Sequence, residues 1–521
     1  MSTEHDSGEA VRARLASGFL VIKNTAITVG AWGLIAVMGL IAVPLLVDRL
    51  GTAKFGVLAL AWVVIGYASA LDLGLGRALT KLTAERLGAG RADEIPGLFW
   101  TALAMLASIG IVTGALIVGL SGVLTNSVFS IEQSLSAEAH ATFILLGCSV
   151  PFVLLSTALA GNLEAHQRFD LTNGIAVPLS FLSYFGPVAI ALFTTNLAVV
   201  VSAVCASRVA ATVIYLYLCL EVDPLLRAKR FADRHLVSPL IRYGGWVSVA
   251  AVASGVMLSL DRFVIGATVS AVAVAFYATP YEASKQMLLV SSALASVLFP
   301  GFAANVGHDQ ARTEMLFSRG VRATFVGLFP LALIASVLAY EILEVWINSE
   351  FAQNGGPVLQ LLPIGILING LAFVAFALIQ SIRPDVLAKV SSAELPLYLG
   401  LLWVLLNADG IRGAAIAFTL RTFADTTILY FFTKRLGLVR TPVLLSAARM
   451  AVAGLVAIGI GALLPSTGLR VAYVVVVIAC FIPIAWRHIL TEQERMRLRE
   501  KITSLRNARK VRSKSPAPDT A

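Results

Sequence analysis

Residues 25–47 read TAITVGAWGLIAVMGLIAVPLLV, twenty-three positions without a charged side chain. The hydrophobic core of a secretory signal is about 7–15 residues long, so this run is too long to be one. A helix satisfies its own backbone inside hydrocarbon, and about 20 residues of helix cross a bilayer core of roughly 30 Å. The run is therefore a retained first membrane helix. Asp48-Arg49-Leu50-Gly51-Thr52-Ala53-Lys54 interrupts it, and the chain then turns apolar again from Phe55 to Gly76. One hydrophobic crossing followed at once by another is the mark of a polytopic membrane protein.

Working outward, apolar runs of this kind recur at 55–76, 97–120, 141–162, 174–194, 197–220, 243–262, 270–300, 323–348, 357–380, 394–408, 411–433, 447–464 and 470–487, fourteen in all. Most are about twice the length of a barrel strand and lack its alternation. The chain of 521 residues is 58% apolar and only 13% charged, against roughly a quarter charged in soluble domains. The expected fold is an all-α polytopic protein of fourteen transmembrane helices. Its expected organisation is a cytoplasmic tail over 1–24, an N-terminal lobe of six helices over 25–220 and a linker over 221–242. A second six-helix lobe then covers 243–433, two further helices cover 447–487, and a basic tail covers 488–521.

The net charge of +10 invites a nucleic-acid reading until the cations are placed. Numbering the loops alternately puts 32 of the 40 Lys and Arg residues on the side of the N-terminus and five, Arg49, Lys54, Arg262, Arg412 and Arg470, on the other. Cytoplasmic loops carry the excess of Lys and Arg, so both termini are expected in the cytoplasm. The basic tail anchors this topology, and nothing else in the pattern suggests a nucleic-acid partner.

Catalytic classes fall away for want of residues. His5, His140, His166, His235, His308 and His488 sit at loops or span ends without ligand spacing, and Cys148, Cys205, Cys219 and Cys480 form no CxxC pair. No metal and no cofactor is implied. There is no phosphate-binding GxxxxGKS loop and no cytoplasmic segment large enough for an ATPase. The longest external connection, about 121–140, is too short for the catalytic loop of a glycan polymerase or glycosyltransferase.

Three cations, Arg208, Lys285 and Arg421, fall inside apolar runs. Counted from the nearer end of each run they lie roughly 17, 22 and 15 Å deep, where a charge costs about 2.5–3.5 kcal/mol on insertion scales. Lipid cannot solvate them, so they are expected to face a water-filled cavity and bind substrate there. The competing explanation is local neutralisation, since Glu282 is three residues from Lys285 and Asp425 four from Arg421. Arg208 has no acid within a turn of its own helix. Arg208 and Arg421 are 213 residues apart, and Val47-Asp48-Arg49 echoes Leu260-Asp261-Arg262 at the same offset. A shift of six helices implies a parallel repeat, two lobes about an axis along the membrane normal. Pro280 is expected to kink the eighth span. Asp72 and Arg77 are read as an inner-gate pair, and Asp261 with Arg262 as a pair at the outer end of the seventh span.

Ser69-Ala70-Leu71-Asp72-Leu73-Gly74-Leu75-Gly76-Arg77-Ala78-Leu79-Thr80-Lys81 follows Leu50-Gly51-Thr52-Ala53-Lys54-Phe55-Gly56. The second half carries Leu260-Asp261-Arg262-Phe263-Val264-Ile265-Gly266, then Tyr277, Tyr281 and Leu298-Phe299-Pro300. Together these resemble the polysaccharide transporter family, the Wzx-type flippases of the multidrug/oligosaccharidyl-lipid/polysaccharide superfamily, over nearly the whole chain. The resemblance implies two lobes around a central cavity and alternating access for an undecaprenyl-pyrophosphate-linked oligosaccharide in a bacterial inner membrane. A monomer is expected, with the phospholipid bilayer, a glycan polymerase and glycosyltransferases as partners. A cation-coupled exporter of small drugs would want a carboxylate deep in the first or seventh helix. Thr25–Leu46 contains none, and the seventh span has only Asp261 at its end.

Overall fold

A computed structural model of the chain describes residues 18–70, 72, 74–129, 131–228, 233–241, 260–305 and 309–485. The expected tails over 1–24 and 488–521 fall largely or wholly outside the described residues, as do part of the 221–242 linker and most of the seventh span. The described residues are helical, with no strand among them. Ten of these helices are long and apolar enough to cross a membrane, and the chain is a multi-pass membrane protein.

In chain order the helices are α1 Gly18–Ala70, α2 Leu75–Gly88, α3 Ile95–Val123, α4 Ser136–Ala165, α5 Phe169–Ala191 and α6 Leu197–Val222. A helix over 260–268 is α7. Then follow α8 Ala271–Lys285, α9 Leu288–Asn305, α10 Gln310–Val337, α11 Ala339–Trp346, α12 Ser349–Gln380, α13 Pro384–Arg435, α14 Thr441–Ala462 and α15 Thr467–Ile484.

At 1.5 Å per residue, the 53 residues of α1 would reach about 80 Å as a straight rod. They do not, because Gly51 adopts φ 75°, ψ 162° and breaks the helix where the sequence interrupts its first two apolar runs. That conformation belongs essentially to glycine alone. The 52-residue α13 is broken in the same way at Asp409 and Gly410, between the runs expected at 394–408 and 411–433.

Several boundaries differ from expectation. The run 55–76 is not one helix: α1 ends at Ala70, and a turn carries the chain into α2. Asp72 makes that turn, its Oδ1 accepting from the Gly74 N–H at 2.8 Å and its carbonyl from Leu75 N–H at 3.0 Å. The run 270–300 is two helices, and the break lies at Gln286–Met287 rather than at Pro280, which stays inside α8. There the Met287 N–H bonds to Ser284 O and the Leu289 N–H to Gln286 O, three-residue spans that tighten the chain out of α register. The helix described from 260 continues to 268, so the chain stays helical past Arg262 instead of entering a loop there.

The chain divides into two compact units. The first takes in residues up to Leu289 with Ala339–Leu362 and Pro384–Asp425. One of its cores joins α2, α3, α4 and α6 around Leu79, Phe99, Leu154, Leu159 and Tyr215. In the same unit α1 approaches α8 so closely that a Cβ on Gly56 would stand 2.0 Å from the Ala271 carbonyl oxygen. The second unit takes in Val290–Leu338, Pro363–Arg383 and the chain from Thr426 on. In it α10 packs on α14 and α15, with Phe325 and Phe329 stacked at 5.2 Å and Phe481 against both.

Candidate functional site

A cavity of about 520 Å³ lies wholly within the first unit. Both halves of α1 contribute to it, Ile35–Val43 before the Gly51 break and Phe55–Gly66 after it. Breaking the helix there lets two distant stretches of one chain face the same space. α5 adds Ser183 and Tyr184, α6 adds Arg208, α7 adds Arg262, α8 adds Glu282 and Lys285, and α11 adds Trp346. Among the described residues, three cations and one carboxylate therefore line it.

Each cation is held differently. Arg262, 9% exposed, donates from Nη1 to Glu282 Oε1 at 2.8 Å, and its guanidinium lies 4.4 Å from the centre of the Tyr281 ring. Its neighbour Asp261, 1% exposed, stands 4.0 Å from Arg262 Nε and accepts a 2.6 Å hydrogen bond from the Tyr277 hydroxyl. Lys285 lies 2.9 Å from the other oxygen of Glu282 and is more open. Thus one carboxylate holds two cations. Arg208 has no such partner: among the described residues its side chain makes no hydrogen bond or ion pair, and its Nε is buried. One residue earlier on α6, the Ser207 hydroxyl meets the Ser183 hydroxyl of α5 at 3.4 Å.

The sequence reading grouped Arg208, Lys285 and Arg421. The structure brings Arg208 and Lys285 to one cavity, while Arg421 is not among the residues that line it. Arg421 instead lies over the rings of Tyr398 at 5.1 Å and Phe418 at 5.6 Å. The carboxyl groups of Asp425 and Glu394 lie close to one another and near enough to Arg421 to feel its charge. Asp72 and Arg77 are also elsewhere, Asp72 in its turn and Arg77 exposed at the start of α2. The two Asp-Arg echoes have different environments, since Arg49 is 54% exposed beside the Gly51 break while Arg262 is buried. Pro280 is buried in α8, its carbonyl accepting from the Ser284 hydroxyl at 2.7 Å.

Sequence reasoning missed Arg262 as a cavity residue because it was counted among external loop cations. The signal was present. The apolar stretch Phe263-Val264-Ile265-Gly266 follows it, which a loop beginning at Arg262 would have to leave in water. Trp62 and Tyr184 were also missed, since an aromatic residue inside an apolar run carries no polarity contrast.

Residues 21–306 match the family described as "Polysaccharide biosynthesis protein". The chain belongs to that family. A relative of the same kind, the "Putative O-antigen transporter" of Shigella flexneri, is 26% identical over 425 residues, covering 80% of this chain and 98% of its own. Among solved structures, the lipid II flippase MurJ in an inward closed conformation superposes with a TM-score of 0.70 at 11% identity, over 90% of this chain and all of MurJ. An inward-facing multidrug resistance transporter of the MATE family superposes at 0.64 and 14% identity, over 77% of this chain and 94% of its own. The protein thus combines membership of a polysaccharide biosynthesis family with the fold shared by MurJ and the MATE transporter of the multidrug/oligosaccharidyl-lipid/polysaccharide superfamily.

Proposed function

We propose that the protein is a flippase that carries an undecaprenyl-pyrophosphate-linked oligosaccharide from the cytoplasmic to the outer leaflet of a bacterial inner membrane. The observation that carries this reading is the cavity wall, where Arg208, Arg262 and Lys285 face a single carboxylate, Glu282. A pyrophosphate brings at least two negative charges. The guanidinium of Arg208, without a partner among the described residues, offers two parallel donors to phosphate oxygens. Lys285 can leave Glu282, which keeps Arg262 as its partner, and turn to the ligand. Arg208 and Lys285 are therefore the phosphate ligands of this reading, and Arg421, away from the cavity wall, serves the packing of α13.

In this reading transport proceeds by alternating access between two six-helix lobes, 25–220 and 243–433, with two further helices at 447–487, a division that rests on the repeat in the sequence. Breaks at Gly51 and at Asp409–Gly410 turn two long helices into pairs, which supports a count of fourteen. The distribution of Lys and Arg supports cytoplasmic termini. The protein acts as a monomer and receives its substrate from glycosyltransferases and delivers it to a glycan polymerase. The superposed MATE transporter raises the alternative of a small-molecule exporter. An organic cation would meet an excess of positive charge in this cavity, which disfavours that alternative.

The test is a leaflet-exchange assay in proteoliposomes with a fluorescent undecaprenyl-pyrophosphate-linked glycan. The wild-type protein should move it, and Arg208→Ala and Lys285→Ala should each slow it at least tenfold. Full exchange by the Arg208→Ala, Lys285→Ala double variant would overturn the reading, as would transport of a cationic dye but no glycan.

A further inference from the structure

The cations occupy only part of the cavity wall. Phe55, Trp62, Tyr184 and Trp346 also line it, and a pyrophosphate needs none of them. Tryptophan in a membrane protein ordinarily sits at the interface with water, where its N–H is wet and its ring is not. Trp62 instead lies within Ala59-Leu60-Ala61-Trp62-Val63-Val64-Ile65 and faces the cavity.

The packing fixes its ring. The Trp62 and Tyr184 rings meet edge to face at 5.5 Å and 67°, and Phe55 closes on Trp62 at 6.2 Å and 81°. A Cβ on Gly39 would stand 3.3 Å from Tyr184 Cζ, so α1 holds the tyrosine from the other side. Trp346 is tied to the same level by its indole N–H, which donates to Leu40 O at 2.7 Å. Tyr184 of α5 and Arg208 of α6 line the same cavity, near enough for the charge of the arginine to reach the tyrosine. An ordered aromatic pair thus shares the cavity with a guanidinium that has no partner among the described residues.

The pair also carries unused donors. Among the described residues, neither the Trp62 indole N–H nor the Tyr184 hydroxyl has a hydrogen-bond partner. A wall meant for an isoprenoid chain would gain nothing from them, since burying polar groups without partners costs free energy. A pyranose ring suits them, because its C–H face carries partial positive charge that matches the negative face of an aromatic ring, while its hydroxyls pair with such donors. A cavity of about 520 Å³ lies within the roughly 300–1,000 Å³ range of ligand pockets and has room beyond a pyrophosphate.

We infer that Trp62 and Tyr184 form a sugar-contacting subsite, set beside Arg208 so that the cavity selects a glycosyl pyrophosphate over an isoprenyl pyrophosphate. The assignment rests on the flippase reading above, and it adds the residues that recognise the glycan.

Calorimetry on the full-length protein in nanodiscs tests it, with inorganic pyrophosphate, a panel of hexosyl and N-acetylhexosaminyl 1-pyrophosphates, and geranyl pyrophosphate as probes. At least one sugar pyrophosphate should bind up to about tenfold tighter than inorganic pyrophosphate, the factor expected of one aromatic contact. Trp62→Leu should erase that advantage while leaving inorganic pyrophosphate binding unchanged. Trp62→Phe, which keeps the ring packing, should retain part of it, and it serves if the leucine variant fails to fold. Tyr184→Phe should reduce the advantage by a smaller factor. A wild-type protein that binds all pyrophosphates equally overturns the subsite but leaves the flippase reading intact. So does a Trp62→Leu variant that loses only geranyl pyrophosphate, or that loses inorganic pyrophosphate as much as the sugars. If the wild-type protein binds none of the probes, the flippase reading falls and the subsite with it.

Discussion

Arg262 Nη1 donates to Glu282 Oε1 at 2.8 Å, joining α7 to α8 through the wall of the cavity. The same carboxyl group also holds Lys285, so the acid determines how much positive charge a ligand meets.

Glu282→Gln keeps the shape of the side chain and removes its charge. Freed of their shared partner, Arg262 and Lys285 should raise the affinity for inorganic pyrophosphate several-fold, with a steeper loss of binding at high salt. Calorimetry at two ionic strengths measures this. Transport should slow despite tighter binding, because a ligand held harder in the loaded state leaves later.

Arg208 and Arg421 should now separate in their behaviour. Arg208→Ala should leave protein level and melting temperature near wild type and abolish glycan export, and Arg208→Lys should restore only part of it, keeping the charge without the planar fork. Arg421→Ala should lower the melting temperature and the yield of folded protein, because it leaves the Glu394–Asp425 pair without its cation. Adding Asp425→Asn should recover stability. Thermal melts and an export assay on the same preparations distinguish the two patterns.

Gly56→Ala would place a methyl group 2.0 Å from the Ala271 carbonyl oxygen, a contact only backbone movement can relieve. Overpacking of this kind costs about 1–3 kcal/mol. The variant should melt several degrees lower, whereas Gly66→Ala, with open space around it, should not.

Gly51→Ala forces a methyl-bearing residue into φ 75°, ψ 162°, at a cost of about 1–3 kcal/mol. A fall in melting temperature is expected there. Gly400→Ala, at an unstrained position with open surroundings, is the control.

Reporter fusions check the topology. Those placed after Ser130 and Glu350 should read external, and those after Arg230 and Ser515 cytoplasmic. One inverted pair would mean that a span has been miscounted.

The hydrophobic runs were legible because transfer from water to lipid is a property of each segment, additive along the chain and indifferent to its neighbours. Arg208 stood out for the same reason, as a charge with no acid in reach on its own helix. Local backbone chemistry was less legible. The interruption at 48–54 announced a connection between two crossings, yet nothing in Gly51 distinguished a loop from a single-residue break. Pro280 drew attention as the kink, while the break actually falls six residues later, where no residue type marks it.

By itself, then, the order of residues determined a many-helix membrane protein with its Lys and Arg sorted by side, and one arginine in need of a polar space. Which charges share that space was decided only in three dimensions. Arg262 lies within the cavity wall and Arg421 does not, although by hydropathy the first belonged to a loop and the second to a cavity. The direction a side chain faces depends on the rotation of its helix, and contacts between distant segments set that rotation. Here they are Ser183 with Ser207, Gly56 against Ala271, and the Trp346 N–H on Leu40 O. No window along a single run contains both members of such a pair.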